Sequence, residues 1–275
     1  MRGARFSVTV LAATLAASCA GASPCDGVGE LEVSEAIASG DRAGVGCLLE
    51  NGTDPDEPNA LGLTPLMQAA ARDESGMVAD LVSAGADLNA TTGAGWTAIH
   101  IAARADAPGA LAALQAAGAD PRSRSTDGMS TLDHAADAGS VAVVEYLIGE
   151  GLDPDRRSAF ITQGHGYPRS EGLTPLALAV RAGRREAVET LLRLGADVDA
   201  TTSSGHTPLL IAVFSGQSPE LVAALLDAGA DPRTRAACIQ ACSVGDADGL
   251  DALEWSRELG RNRLIPLLEA STETN

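Results

Sequence analysis

Two short strings recur along this chain at a regular distance, and that periodicity constrains its architecture more than any single residue does. GLTPLMQAA begins at Gly62, GWTAIHIAA at Gly95, GMSTLDHAA at Gly128, GLTPLALAV at Gly172, GHTPLLIAV at Gly205 and GLDALEWSR at Gly249. The spacings are 33, 33, 44, 33 and 44 residues, so two units exceed a common period by eleven. Stepping back one period from Thr64 reaches LEVSEAIASG, which keeps the apolar pattern without Thr-Pro. A second string keeps pace with the first: NGTD at Asn51, AGAD at Ala84 and Ala117, EGLD at Glu150 and LGAD at Leu194, then AGAD one residue late at Ala228. Such repetition means stacked supersecondary units, because no unit of this size hides its apolar face alone.

Each unit has a local physical reading. Thr64, Thr97, Thr174 and Thr207 are suited to cap a helix N-terminus, and Pro65, Pro175 and Pro208 fill the first helical position, where no N–H is needed. Gly40, Gly139, Gly183, Gly216 and Gly260 stand where a first helix would end in the left-handed region. A second apolar stretch, such as VVEYLI or AVETLLRL, predicts another helix, closed by Gly85, Gly118, Gly151, Gly195 or Gly229. Paired alanines (Ala69-Ala70, Ala102-Ala103, Ala135-Ala136) allow close helix approach.

The pattern GxTPLHxAA…G…LLxxGAD-x-N/D resembles ankyrin repeats over about residues 29–270. The resemblance implies an all-α solenoid of about seven helix-turn-helix repeats with hairpin fingers, near 29–60, 61–93, 94–126, 127–170, 171–203, 204–247 and 248–270. On this reading 1–22 is a leader, 23–270 the repeat domain and 271–275 a tail. Against the family pattern, Asp73 and Asp106 replace the mid-unit glycine, and only His100 keeps the histidine of TPLH. Pro266 falls inside the last second helix and predicts a kink or an early end. The two excesses both fall after the GAD turn, at Ser158–Ser170 and Thr234–Asp246, and so are assigned to the fingers.

Composition narrows the chemistry. All 19 basic residues are arginine, which excludes a phosphate-loop lysine and a Schiff-base lysine. Against 37 acidic residues the formal net charge is −18, so nucleic acid is not an expected partner. At the N-terminus Arg2 and Arg5 precede an apolar run from Phe6 to Ala17, too short to span a bilayer, and then small residues. This describes a secretory leader, cleaved after Ala20 or Ala22, or else a lipoprotein leader that makes Cys19 the acylated first residue. The expected location is therefore a bacterial periplasm, either free or held at the outer membrane through that lipid. Cys25, Cys47, Cys238 and Cys242 then remain for two disulfides with three connectivities, and proximity in sequence favours Cys25–Cys47 and Cys238–Cys242. Metal binding at Cys238-x-x-x-Cys242 needs two further ligands, for which the segment offers only Asp246 and Asp248.

Function is expected to be non-catalytic: a monomeric module that binds a protein partner and carries no cofactor or metal. In ankyrin-like scaffolds the partner meets the finger tips and the inner face of each first helix. Carried over by position, the residue before the capping position is Leu63, Trp96, Met129, Leu173 or His206. Seven residues after the cap stand Arg104, Asp137, Arg181 and Phe214, with Arg72 at the corresponding end of its helix. Phe160, His165 and Tyr167 lie in the first insertion. Arg122, Arg124, Arg156, Arg157, Arg169, Arg233 and Arg235 predict a locally positive finger edge, with neighbouring aspartates as its counterweight. No serine or cysteine nucleophile has a base at a recognisable spacing. Two sharper versions of the binding reading are an immunity-type toxin inhibitor and a helper in envelope oxidative-stress defence. A haem or metal carrier using His165, Cys238 and Cys242 is the alternative from another class.

Overall fold

The computed structural model describes residues 32–159, 172–236 and 249–274. Among them the chain forms fourteen helices and no named strand. The first helices of successive repeats are α1 (Val33–Ser39), α3 (Pro65–Ala71), α5 (Ala98–Arg104), α7 (Thr131–Ala138), α9 (Pro175–Arg181), α11 (Pro208–Ser215) and α13 (Ala252–Glu258). The second helices are α2 (Arg42–Glu50), α4 (Ser75–Ser83), α6 (Pro108–Ala116), α8 (Val141–Gly149), α10 (Arg185–Arg193), α12 (Pro219–Asp227) and α14 (Ile265–Thr274). First helices pack on first helices and second helices on second helices, giving a two-row stack.

The helix starts follow from capping chemistry. Thr64, Thr174 and Thr207 sit in extended backbone, and their hydroxyls accept from the N–H three residues on at 3.3, 3.2 and 3.3 Å. A proline follows each at the first helical position. Ser130 does the same for α7, and the Asp133 carboxylate closes the box by accepting from the Ser130 N–H at 2.8 Å. At Thr97 the box is closed by a histidine, His100. The Thr97 N–H and hydroxyl both lie against Nδ1 of His100, at 3.2 and 3.0 Å.

Burial follows the repeat. Leu66, Ile99, Leu132, Leu176 and Leu209 form one buried column through the first helices; Leu81, Leu114, Leu147, Leu191 and Leu225 form another through the second. Each such side chain contributes roughly 2 kcal/mol of apolar burial, and only because a neighbouring repeat covers it. Ala69, Ala70, Ala102, Ala103, Ala135 and Ala136 are fully buried where backbones approach.

Asp73 and Asp106, in the seats usually held by glycine, adopt the left-handed region at φ 58° and 54°. Asparagine and aspartate tolerate this region best among residues with a side chain. Their carboxylates reach across to the next repeat and accept from the N–H at the third position of its second helix: Asp73 from Ala110 at 2.6 Å, Asp106 from Val143 at 3.0 Å. Those helices lack a cap of their own, since Ala107 has no acceptor and the Ser140 hydroxyl donates to the Arg104 carbonyl. The aspartates thus fasten one repeat to the next.

Three details amend the sequence reading. In ordinary fingers the backbone closes over five residues, as in Ser125 N–H to the Met129 carbonyl. The first insertion opens and closes on the same pair of seats, Ser158 and Leu173, eleven residues wider. The second is bounded by Ala236 and Leu250, a separation wider by only ten. The eleventh extra residue lies instead between α11 and α12, where Ser218 is added and caps α12 through Leu221 N–H at 3.3 Å. That also explains the late AGAD string. Pro266 is at the second position of α14, where no N–H is required, so it begins that helix rather than kinking it. The same helix runs to Thr274, through most of the stretch assigned to a tail.

The inter-repeat cap has a measurable consequence. Replacing Asp106 by Gly relieves the left-handed backbone but removes the cap, and should lower stability by about 1 kcal/mol. Replacing it by Ala also leaves a strained backbone and should cost about 2 kcal/mol. Urea unfolding followed by far-UV circular dichroism checks the order; a more stable glycine variant would refute the linkage.

Candidate partner-binding face

The five residues before the capping positions do not form one surface. Met129, Leu173 and His206 are buried, so they pack the finger bases against the stack and offer no partner contact. His206 sets its edge against the Phe214 ring, with centroids 5.5 Å apart. Leu63 and Trp96 are half-buried and remain accessible.

The helix-end positions fare better. Asp137 lies between two arginines from the repeats on either side: Arg104 at 3.3 Å and Arg181 at 3.5 Å. The Arg104 guanidinium also covers the Trp96 ring, 4.8 Å from its centroid, a cation–π geometry. Arg184 donates to the Asp137 carbonyl at 3.0 Å and holds that helix end in place. Trp96, Arg104, Asp137 and Arg181 therefore form one cluster. Arg72 is exposed one repeat away and donates to the Ala38 carbonyl at 2.6 Å. Phe214 belongs to a separate aromatic group, edge-on to the buried Trp255 with centroids 4.9 Å apart.

Along the finger edge several arginines are already hydrogen-bonded within the fold, and acidic groups stand among them. Arg124 spends its guanidinium on the carbonyls of Gly128 and Arg157, at 2.6 and 3.0 Å. Arg235 turns to the Gly249 carbonyl and to Glu254, and Arg233 to the Thr272 carbonyl. Aspartates run between them as a ladder: Asp56, Asp155 and Asp199 accept from the N–H of Asp87, Asp197 and Asp231 in the following repeat. Arg122 is exposed, and the Asp120 carboxylate accepts from its backbone N–H. Phe160, His165, Tyr167, Arg169, Cys19, Cys25, Cys238 and Cys242 lie outside the described residues.

Beneath the cluster is a buried polar group that sequence reasoning only half foresaw. His100 accepts at Nδ1, so Nε2 carries the proton and donates to the Ser123 carbonyl of the next finger at 3.3 Å. One repeat on, Asp133 holds that seat; it is fully buried, and its second oxygen, Oδ1, has no partner. Burial pushes its carboxyl up to about 6, despite the Ser130 hydrogen bonds. His134 is also fully buried; burial and the adjacent His100 hold it down at about 4. Its ring meets Trp96 in a T-shaped contact and His100 at a tilt, with centroids 5.2 and 5.1 Å away.

Ser125, His134 and Asp127 are the residue types of a nucleophilic triad, but not its arrangement. Ser125 Oγ lies 2.8 Å from His134 Nε2 and itself donates to Asp127, while His134 Nδ1 has no partner. A triad requires the carboxylate on that other nitrogen, with the serine facing substrate. Here serine and histidine are both buried, and an imidazole held near 4 is a poor base.

Asp133 carries a pH signature of defined sign. Its carboxyl is raised above the unfolded value, so the buried charge destabilises the fold above about pH 6, and that penalty fades as pH falls toward 4. His134 works oppositely, losing stability as pH falls from about 6.5 toward 4. Asp133→Asn keeps the acceptor for Ser130 and should raise stability at pH 7.5 by on the order of 2 kcal/mol, with the gain shrinking by pH 5. Thermal unfolding at the two pH values decides this; a variant weaker than the parent at pH 7.5 rejects the buried-charge assignment.

Comparison with known proteins accords with this architecture. The family model described as "Ankyrin repeats (3 copies)" matches residues 33–125, 74–158 and 133–236. The crystal structure of the human ASB11 ankyrin repeat domain is similar in fold: TM-score 0.66, 22% identity, 88% of this chain and 98% of that one covered. The ankyrin repeat domain of Bcl-3, described as a unique member of the IkappaB protein family, superposes with TM-score 0.63 at 28% identity, covering 88% of this chain and 99% of that one. No curated protein sequence matches the chain. The repeated capping boxes, the two-row stack and the matched residues together place this chain in the ankyrin-repeat family.

Proposed function

We propose that this chain is a non-catalytic protein-binding module of the bacterial cell envelope, engaging its partner through the first-helix face and the fingers. Ankyrin repeats are in general protein–protein interaction modules, and the observation that carries the reading here is the accessible Trp96–Arg104–Asp137–Arg181 cluster. Tryptophan and arginine on a preformed surface are the residue types that dominate binding energy at interfaces. Export is supported by the leader-like N-terminus. Among the described residues no helix is long and apolar enough to cross a membrane. Within this reading, toxin neutralisation and assistance to an envelope enzyme in oxidative-stress defence differ only in the partner's identity.

Two measurements test it. Intact-mass analysis of protein recovered from the envelope should show loss of the leader, either by cleavage after Ala20 or Ala22 or with a lipid on Cys19. Retention of residues 1–18 in a cytosolic product would refute export. Cross-linking in envelope extracts, followed by mass spectrometry, should recover a protein whose contact sites map near Trp96 and Arg104. Cross-links confined to the second-helix row would move the interface elsewhere.

A further inference from the structure

The cluster at the centre of this face also selects a chemistry. Asp137 shows what its seat accepts: one carboxylate placed between guanidiniums from two other repeats, at 3.3 and 3.5 Å. Both contacts exceed the roughly 2.7–2.9 Å of a well-formed charge-assisted hydrogen bond. The chain does build such bonds elsewhere, since Arg42 grips Asp80 with two nitrogens at 2.5 and 2.9 Å. Arg104 and Arg181 each give Asp137 a single terminal nitrogen, and among the described residues neither guanidinium makes a further hydrogen bond or ion pair. Both are partly exposed, at 33% and 24% of their side chains.

We propose that Arg104 and Arg181 form a carboxylate-binding subsite that receives an acidic segment of the protein partner, with Asp137 as its internal place-holder. This deepens, and rests on, the reading that this face binds protein. Two guanidiniums against one carboxylate leave a local positive charge in a chain of net −18, so the subsite is opposite in sign to the body around it. Trp96 lies against the Arg104 guanidinium and presents its plane in one orientation, which lowers the ordering cost of a forked contact. Arg184, bonded to the Asp137 carbonyl, keeps the helix end from yielding when the place-holder is displaced. The finger bases offer the contrary chemistry, a basic partner on the aspartate ladder. Those aspartates, however, are already engaged with the backbone of the next repeat.

The test is fluorescence anisotropy of the full-length mature protein with labelled octaglutamate and octalysine peptides at low ionic strength. Octaglutamate should bind. Arg104→Gln and Arg181→Gln should each weaken it about two- to fivefold, the size expected for a partly exposed ion pair. Asp137→Asn should tighten it by a similar factor, because the internal competitor loses its charge. Misfolding cannot produce that gain. Absence of octaglutamate binding, an Asp137→Asn variant that binds no tighter, or preferential binding of octalysine would each overturn the proposal. A cross-linked partner that survives both arginine substitutions and excess octaglutamate would also overturn it, while leaving the protein-binding reading intact. Failure to recover any partner would instead count against that broader reading.

Discussion

Everything in this molecule depends on apolar columns that are completed only between repeats. A pair of helices of seven to ten residues each has too little interior to bury Leu66 or Leu81 by itself. The next pair does it, and the paired alanines set how closely that pair can come. Stability is therefore distributed along the stack as neighbour terms rather than stored in one core. Asp73 and Asp106 add a directional element. A turn residue of one repeat completes the helix start of the next, so a polar bond coincides with the apolar contact.

The same seat can hold different chemistry without disturbing the stack. At the third position of α5, His100 closes the capping box and reaches the following finger, because an imidazole has two nitrogens on opposite sides of the ring. In α7 the shorter Asp133 performs only the first task and leaves an oxygen buried and unpartnered. His134 next to it is held neutral by the same burial. Their opposed shifts partly offset one another as pH falls below 6.5, so this dense group of ionisable side chains imposes little net acid sensitivity on the fold.

Above that group, the ends of the first helices are where the scaffold leaves side-chain identity free. Arg104, Asp137 and Arg181 come from three successive repeats, and only stacking places one carboxylate between two guanidiniums. The spacing that builds the solenoid thus also builds the surface, since equivalent positions in adjacent repeats become neighbours in space. Phe214 continues the row in position but not in character, turning to Trp255 rather than to the arginines.

Architecture was almost wholly legible in the amino-acid order. Period, caps, first-turn prolines and glycine stops are short-range signals, and each acts through backbone groups a few residues away. Register within the second insertion was not legible, because one added residue in a turn and one in a finger lengthen the period identically. Nor was the exposure of the residues before the caps. Trp96 and His206 occupy equivalent positions, yet one is accessible and the other buried, according to what the adjoining repeat places over them. Nor was it legible that the finger arginines Arg124, Arg233 and Arg235 bond to carbonyls elsewhere in the fold. What the chain determined by itself was where helices start, stop and repeat, since hydrogen bonding and apolar periodicity are local. What only tertiary structure decided was which side chains of different repeats meet, because burial and charge pairing depend on neighbours tens of residues away.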